Sequence, residues 1–212
     1  MTDIHNPIAH HRKSDGNTQP LSVHLLAVAA YARSFAGKVG LADLGELIGL
    51  IHDLGKYSHE FQAYIQSAVG LLNQDDDEEF VDATGLKGKI DHSTAGAQLV
   101  WRKFDDHIVG QILALCLASH HSGLIDCLTS DADSFGEDAF HKRMNKSDER
   151  THLKEALNKV DKTILDRFHK LIGPVNSLRF SIAKIVKLDQ EAGETITRQK
   201  IGLLVRYLFS CL

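Results

Sequence analysis

Hydrophobic positions recur at helical intervals along most of the chain. From Leu21, the run LSVHLLAVAAYARSFA sets Leu21, Leu25, Val28, Ala29, Ala32 and Phe35 on one stripe of period 3.6, which predicts a helix carrying His24 on its apolar side. The run ADLGELIGLIHDLGK repeats the device with Leu44, Leu47, Ile48 and Ile51. Gly45 and Gly49 lower its intrinsic helix propensity and suit close approach of a second helix. The same period returns in HEFQAYIQSAVGLL, STAGAQLVWRKF and HIVGQILALCLASHH. Three more helices are expected towards the end: THLKEALNKVDKTILDRFHKLI, VNSLRFSIAKIVKLD after Pro174, and TITRQKIGLLVRYLFSCL. Residues 1–20 are polar, interrupted by Pro7, Gly16 and Pro20, and read as a lead-in loop. NQDDDEEF and TGLKGKI form an acidic, glycine-punctuated connection, and CLTSDADSFGEDAFHKRMNKSDER a surface excursion with one short helix. No strand-like alternation of useful length occurs. The expected fold is all-α, a single globular domain of eight or nine helices over residues 21–212.

A chain of 212 residues can close one well-packed core, and its ordinary share of apolar residues argues against disorder. One core accounts for the helical stripes, so a monomer is expected. The formal net charge of -4 announces no polyanion binder; a nucleic-acid substrate would have to be attracted by metals and a local basic patch. No apolar run is long enough to span a bilayer, and a cytoplasmic location is the expectation. Cys116, Cys127 and Cys211 form no CxxC pair and read as reduced, buried thiols.

Histidine is the outlying component, with thirteen copies. His5, His10, His11, His59, His107, His141, His152 and His169 lie in polar contexts and are assigned to the surface. His24, His52, His92, His120 and His121 fall on or beside apolar helical faces, and Asp53 joins them. Singly, each is most simply a hydrogen-bonded core residue or a helix end, and an HD step is common by chance. Together, five imidazoles and a carboxylate exceed the four ligands of a closed structural zinc site. They suit two ions, with Asp53 bridging ions about 4 Å apart. Nitrogen-rich ligation favours Fe, Mn, Co or Ni, with Mg or Zn expected to support less activity. Such a site hydrolyses phosphate esters. No nucleophile elbow or phosphate-cradling GxxxxGK[ST] run offers another chemistry.

HLLAV in the first helix, HDLGK, DHSTAGA and ASHHSG, in that order, resemble the metal-dependent HD phosphohydrolase superfamily. They are most similar to the HD nuclease domain of the CRISPR-associated nuclease-helicase of type I interference. The resemblance runs from IAHHRKSDG at residues 8–16 to the end of the chain. It implies that His24 and His52 hold one ion, that His92, His120 and His121 hold the other, and that Asp53 touches both. It also implies that Lys56 acts with His52 and Asp53 in catalysis, near the scissile phosphate, and that Ser93 supplies a supporting hydroxyl. The implied substrate is single-stranded DNA, nicked and then degraded processively when a helicase feeds the strand. The implied partners are that fused or associated helicase and an RNA-guided target-recognition complex.

The family's last ligand is an aspartate in a late helix, and no aspartate follows Asp189 here. Asp131, Asp133 and Asp189 are poor matches. By resemblance the chain stops at RYLFSCL before that ligand and before the helicase region, so the first ion is expected to be weak or absent. Two other readings stay open: a phosphohydrolase of nucleotides or cyclic nucleotides, which needs a lidded pocket, and a non-catalytic metal-binding interaction domain.

Overall fold

The computed structural model of the chain describes residues 6–104, 107–125, 138–188 and 194–212; of residues 107, 177–188 and 194–198 it describes the backbone alone. Among the described residues the fold is all-α apart from one two-stranded sheet. Ten α-helices occur among the described residues, against an expectation of eight or nine.

Among the described residues of the lead-in, 8–20 form a hairpin and not a loop. β1 (Ile8–Arg12) and β2 (Asn17–Pro20) pair antiparallel, turning at Gly16, which has φ 69°. Gln62, on the third helix, fastens this hairpin with both ends of its amide. Its Oε1 accepts from Ile8 N at 2.9 Å, and its Nε2 donates to Ile8 O at 3.1 Å and to Lys56 O at 2.7 Å.

Pro20 leads directly into α1 (Leu21–Gly37), and α2 (Ala42–Ile51) folds back along it. The two pack with almost no space between backbones. A Cβ at Gly49 would lie 2.7 Å from Ala29 Cα, and one at Gly45 would strike the Ala32 carbonyl. The antiparallel register carries on to His24 opposite His52. Buried Glu46 ties the pair to α9 (Lys162–Leu188), accepting from Arg33 Nη1 at 2.7 Å and from Arg167 Nε. Burial would raise the Glu46 carboxyl, but the hydrogen bonds from Arg167 and Arg33 hold it below its ordinary value.

After a short 3-10 turn (Leu54–Tyr57) come α3 (His59–Ala68), α4 (Thr94–Lys103) and α5 (His107–Ser119). Ser58 caps α3 by accepting from Phe61 N at 3.2 Å. Short helices α6 (Ala139–Met144), α7 (Asp148–Thr151) and α8 (Leu153–Lys159) follow. The excursion containing α6 is not purely a surface feature, since Phe140 and Met144 are buried in the common core.

The helix expected across residues 151–172 is broken at Val160, which is extended (ψ 140°). Asp161 accepts from the buried Tyr57 hydroxyl at 2.6 Å, and a new helix starts beyond it. Conversely, Pro174 does not end α9. An interior proline costs about 3 kcal/mol, yet the buried stripe Ile164, Phe168, Leu171 and Val175 runs straight across it. α10 (Glu194–Ser210) closes against α5 and α1, with Tyr207 OH donating to Phe35 O at 2.6 Å. Cys116 and Cys211 are free, buried thiols, while Cys127, Asp131, Asp133 and Asp189 lie outside the described residues. No described helix is long and apolar enough to cross a membrane.

Candidate metal centre

His52 and Asp53 are adjacent, but the helix ends between them. His52 keeps helical angles (φ -56°, ψ -37°), whereas Asp53 has φ -107°, ψ 24° and opens the 3-10 turn. That change removes the roughly 100° divergence of neighbouring helical side chains. His52 Nε2 therefore comes to 3.1 Å from Asp53 Oδ2.

Glycine brings the other walls in. Gly55 N donates to His92 O at 3.2 Å, and a Cβ on Gly55 would lie 2.6 Å from His92 Cα. A Cβ on Gly96, in the first turn of α4, would fall on the Ile51 carbonyl. Only bare backbone at these positions lets the His92 loop close on the end of α2.

The two oxygens of Asp53, a residue only 2% exposed, face different histidines. Oδ2 lies 3.3 Å from His24 Nε2 and 3.1 Å from His52 Nε2. Oδ1 lies 3.3 Å from His120 Nε2, 3.6 Å from His121 Nε2 and 3.7 Å from His92 Nε2. The ligand atoms of His24, His52 and Asp53 lie within 4.8 Å of one another, as do those of Asp53, His92, His120 and His121. All six expected ligands are thus brought together, in the two groups that the resemblance implied. Exposure rises towards one side, since the His121 side chain is 53% exposed.

The imidazoles are oriented by backbone carbonyls. His52 Nδ1–H donates to Gly49 O at 2.8 Å and His120 Nδ1–H to Leu117 O at 2.6 Å, each reaching back three residues to a carbonyl that a helix end leaves free. His92 Nδ1–H donates to Ile90 O at 3.1 Å. In neutral rings this assigns the lone pair to Nε2, the atom facing Asp53. Burial lowers the pKa of His120 and lowers that of His92 to about 4, which keeps both rings neutral. Burial would raise the Asp53 carboxyl, but the surrounding histidines, His120 first, hold it well below the carboxylate range. The lone pairs of His52, His92 and His120 therefore meet an anion, and the ring nitrogens crowd one another: His24 and His52 Nε2 are 3.2 Å apart, and His92 and His121 Nε2 are 2.7 Å apart. Such a donor set fits divalent metal ions.

Lys56, expected near a phosphate, lies with Nζ 2.9 Å from Asp53 Oδ2 and 5.5 Å from the Phe61 ring centroid. Phe61 also packs on His92, with ring centroids 4.8 Å apart. Ser93 Oγ accepts from Arg143 Nη2 at 2.5 Å instead of supporting an imidazole.

Sequence reasoning missed four residues. Asp91 accepts from Thr94 N, at the start of α4, at 3.0 Å and is held by Lys146 Nζ at 2.5 Å. With Arg143, which also donates to Thr94 Oγ1 at 2.9 Å, Lys146 braces the loop that carries His92. His10 is exposed, as expected, yet stands edge-to-face against His24 with centroids 4.8 Å apart; the covering of its ring, followed by the charge of Lys56, lowers its pKa.

A family model described as "Cas3, HD domain" matches residues 9–197, which takes in the hairpin except its first residue, Ile8. The chain belongs to the Cas3 HD domain family. No match was found among curated proteins. Membership in the Cas3 HD domain family makes the chain a metal-dependent HD nuclease domain of CRISPR defence. Its cluster of imidazoles around one carboxylate is the part of the fold that can hold the metal.

Proposed function

We propose that this domain hydrolyses phosphodiester bonds of single-stranded DNA in CRISPR-mediated defence, cutting within the strand. One observation carries the reading: Nε2 atoms of carbonyl-fixed imidazoles converge on both oxygens of a single buried carboxylate, Asp53. In this reading His24, His52 and Asp53 hold one divalent ion, and Asp53, His92, His120 and His121 hold a second. Ions bound there supply an acidified water and neutralise charge on the phosphoryl oxygens. The nitrogen-rich set favours Fe, Mn, Co or Ni over Mg.

The protein's own groups do the rest. Asp53 stays anionic and fixes the spacing of the two groups. His52 and His120, pinned to helix-end carbonyls, need no rearrangement to present lone pairs. Lys56 holds a positive charge beside the shared carboxylate, from which it can donate to a phosphoryl oxygen. Phe61, packed on both His92 and Lys56, keeps water from that side. The half-exposed His121 supports an open site suited to a polymer over the lidded pocket that a nucleotide phosphohydrolase needs. The domain works in the cytoplasm as a monomer, with a helicase that feeds the strand and an RNA-guided complex that selects the target.

Metal-stripped protein reloaded with Mn, Ni or Co should linearise a circular single strand and then shorten it. Magnesium alone should restore little. Hydrolysis of nucleoside phosphates without strand cleavage would transfer the site to the nucleotide reading. Stoichiometric metal binding with no phosphoester cleavage would make it non-catalytic.

A further inference from the structure

The hairpin and the metal centre meet at His10, and a bulge explains why. Ile8 pairs with Pro20 and His10 with Gln19, so Ala9 is the extra residue on β1. An extra residue breaks strand alternation and re-aims the next side chain. Ile8 and Ala9 are both buried as a result, and the His10 ring is set edge-on to His24 at 4.8 Å between centroids. Along the same hairpin runs an open cleft of about 580 Å³, bordered by His10, Arg12, Asn17, Thr18 and Gln19. Its inner end is one ring away from a candidate ligand of the first group.

The cleft's chemistry is that of a phosphate-sugar track. Apart from Pro20 its lining side chains are polar, and the sequence HHRK at residues 10–13 brings cationic groups to the hairpin of a chain whose net charge is -4. Arg12 pairs with Asp15 at 3.2 Å, but both side chains are largely exposed, so the pair is weak and exchangeable for a stronger anion. The amides of Asn17 and Gln19 and the Thr18 hydroxyl add donors and acceptors without base preference.

We propose that the β1–β2 cleft is a subsite for the polynucleotide: it receives the backbone flanking the scissile bond, with Arg12 on a phosphate and His10 packing between the strand and His24. This rests on the reading of the domain as a single-strand nuclease. His10 is here a positioning residue. The hairpin aligns the strand with the metal groups, and the bulge at Ala9 sets the aim.

The test separates binding from cleavage. Metal-stripped protein in EDTA is titrated against a fluorescein-labelled 12-nucleotide single strand at several salt concentrations. Wild type should bind, and Arg12→Gln should weaken binding about five-fold. It should also reduce the slope of log K against log salt by about 0.7, the value of one phosphate contact on a single strand. Arg12→Lys should keep the slope, which a merely structural role for Arg12 does not require. His10→Ala should weaken binding without changing the slope, and in reloaded protein with unchanged metal content it should raise KM more than it lowers kcat. No binding by wild type at low salt, or wild-type affinity and slope in Arg12→Gln, overturns the subsite; unchanged affinity in His10→Ala removes His10 from it. If the binding pattern appears but reloaded wild type cleaves nothing, the subsite stands and the nuclease reading falls.

Discussion

Lys56 Nζ stands 2.9 Å from Asp53 Oδ2, the same oxygen that faces His24 and His52. The Asp53 Oδ1 atom faces three imidazoles and no lysine. A buried ammonium at the first group opposes a divalent cation there, while the second group has three imidazoles and is free of that opposition. Replacement by Lys56→Met should therefore tighten the weaker of two metal-binding events several-fold in calorimetric titration. At the same time it should slow strand cleavage by at least ten-fold, because the charge offered to the phosphate is gone. Loosened metal binding in Lys56→Met would refute this placement of its charge.

The split of Asp53 between two groups makes ligand deletions distinguishable. His24→Ala should lower bound metal by up to one equivalent and leave the second group filled. His120→Ala should empty the other group, and Asp53→Asn should weaken both and cut cleavage by at least 100-fold. Elemental analysis beside circular dichroism checks each variant. Asp53→Asn retaining activity with its helices intact would remove Asp53 from the centre.

His92 contributes to the pH dependence of metal-free stability. Its imidazole titrates near pH 6.5 when unfolded but is lowered to about 4 by burial in the fold. Between those values the unfolded chain binds more protons, so stability falls as pH drops below 6.5 and the loss is complete below about 4. The two values correspond to about 3 kcal/mol, an upper figure because part of the ring meets solvent. Urea unfolding of stripped protein at pH 7, 6 and 5 should show midpoints falling in that order. A constant midpoint would show that His92 is not held neutral by burial.

Gly96 has no room for a side chain against the Ile51 carbonyl, and the obstacle is backbone, not a movable side chain. Gly96→Ala should destabilise the fold by at least about 2 kcal/mol, the scale of overpacking a tight core. It should also weaken metal binding at the second group, because α4 carries the His92 loop. Thermal melting with and without Mn checks both effects. An unchanged melting temperature would mean that the α2–α4 contact relaxes freely.

Period 3.6 in the apolar positions was enough to anticipate α1, α2, α4 and α5, and the six ligand positions stand at the ends or first turns of those helices. Other features were hidden for physical reasons. In β1, IAHHR carries two adjacent buried residues because of the bulge, so no alternation marks it as a strand. Pro174 reads as a terminator because local propensity cannot see the stripe from Ile164 to Val175 that overrides it. Lys146 and Arg143 look like solvated surface in HKRMNK, and only the return of α6 beside α4 brings them to Asp91 and Ser93. His10 is exposed like the other surface histidines whose polar context it shares, and its meeting with His24 exists only once the hairpin has closed.

The amide of Gln62 grips both the Ile8 backbone and the Lys56 carbonyl. Sequence separates Ile8 from Lys56, but a single side chain makes them members of one opening unit, since neither bond is released without exposing the other. The Ile8 amide proton therefore serves as a gauge of the turn that holds Asp53. Its rate of exchange with solvent deuterium reports, from the edge of the molecule, how often the floor of the metal centre comes apart.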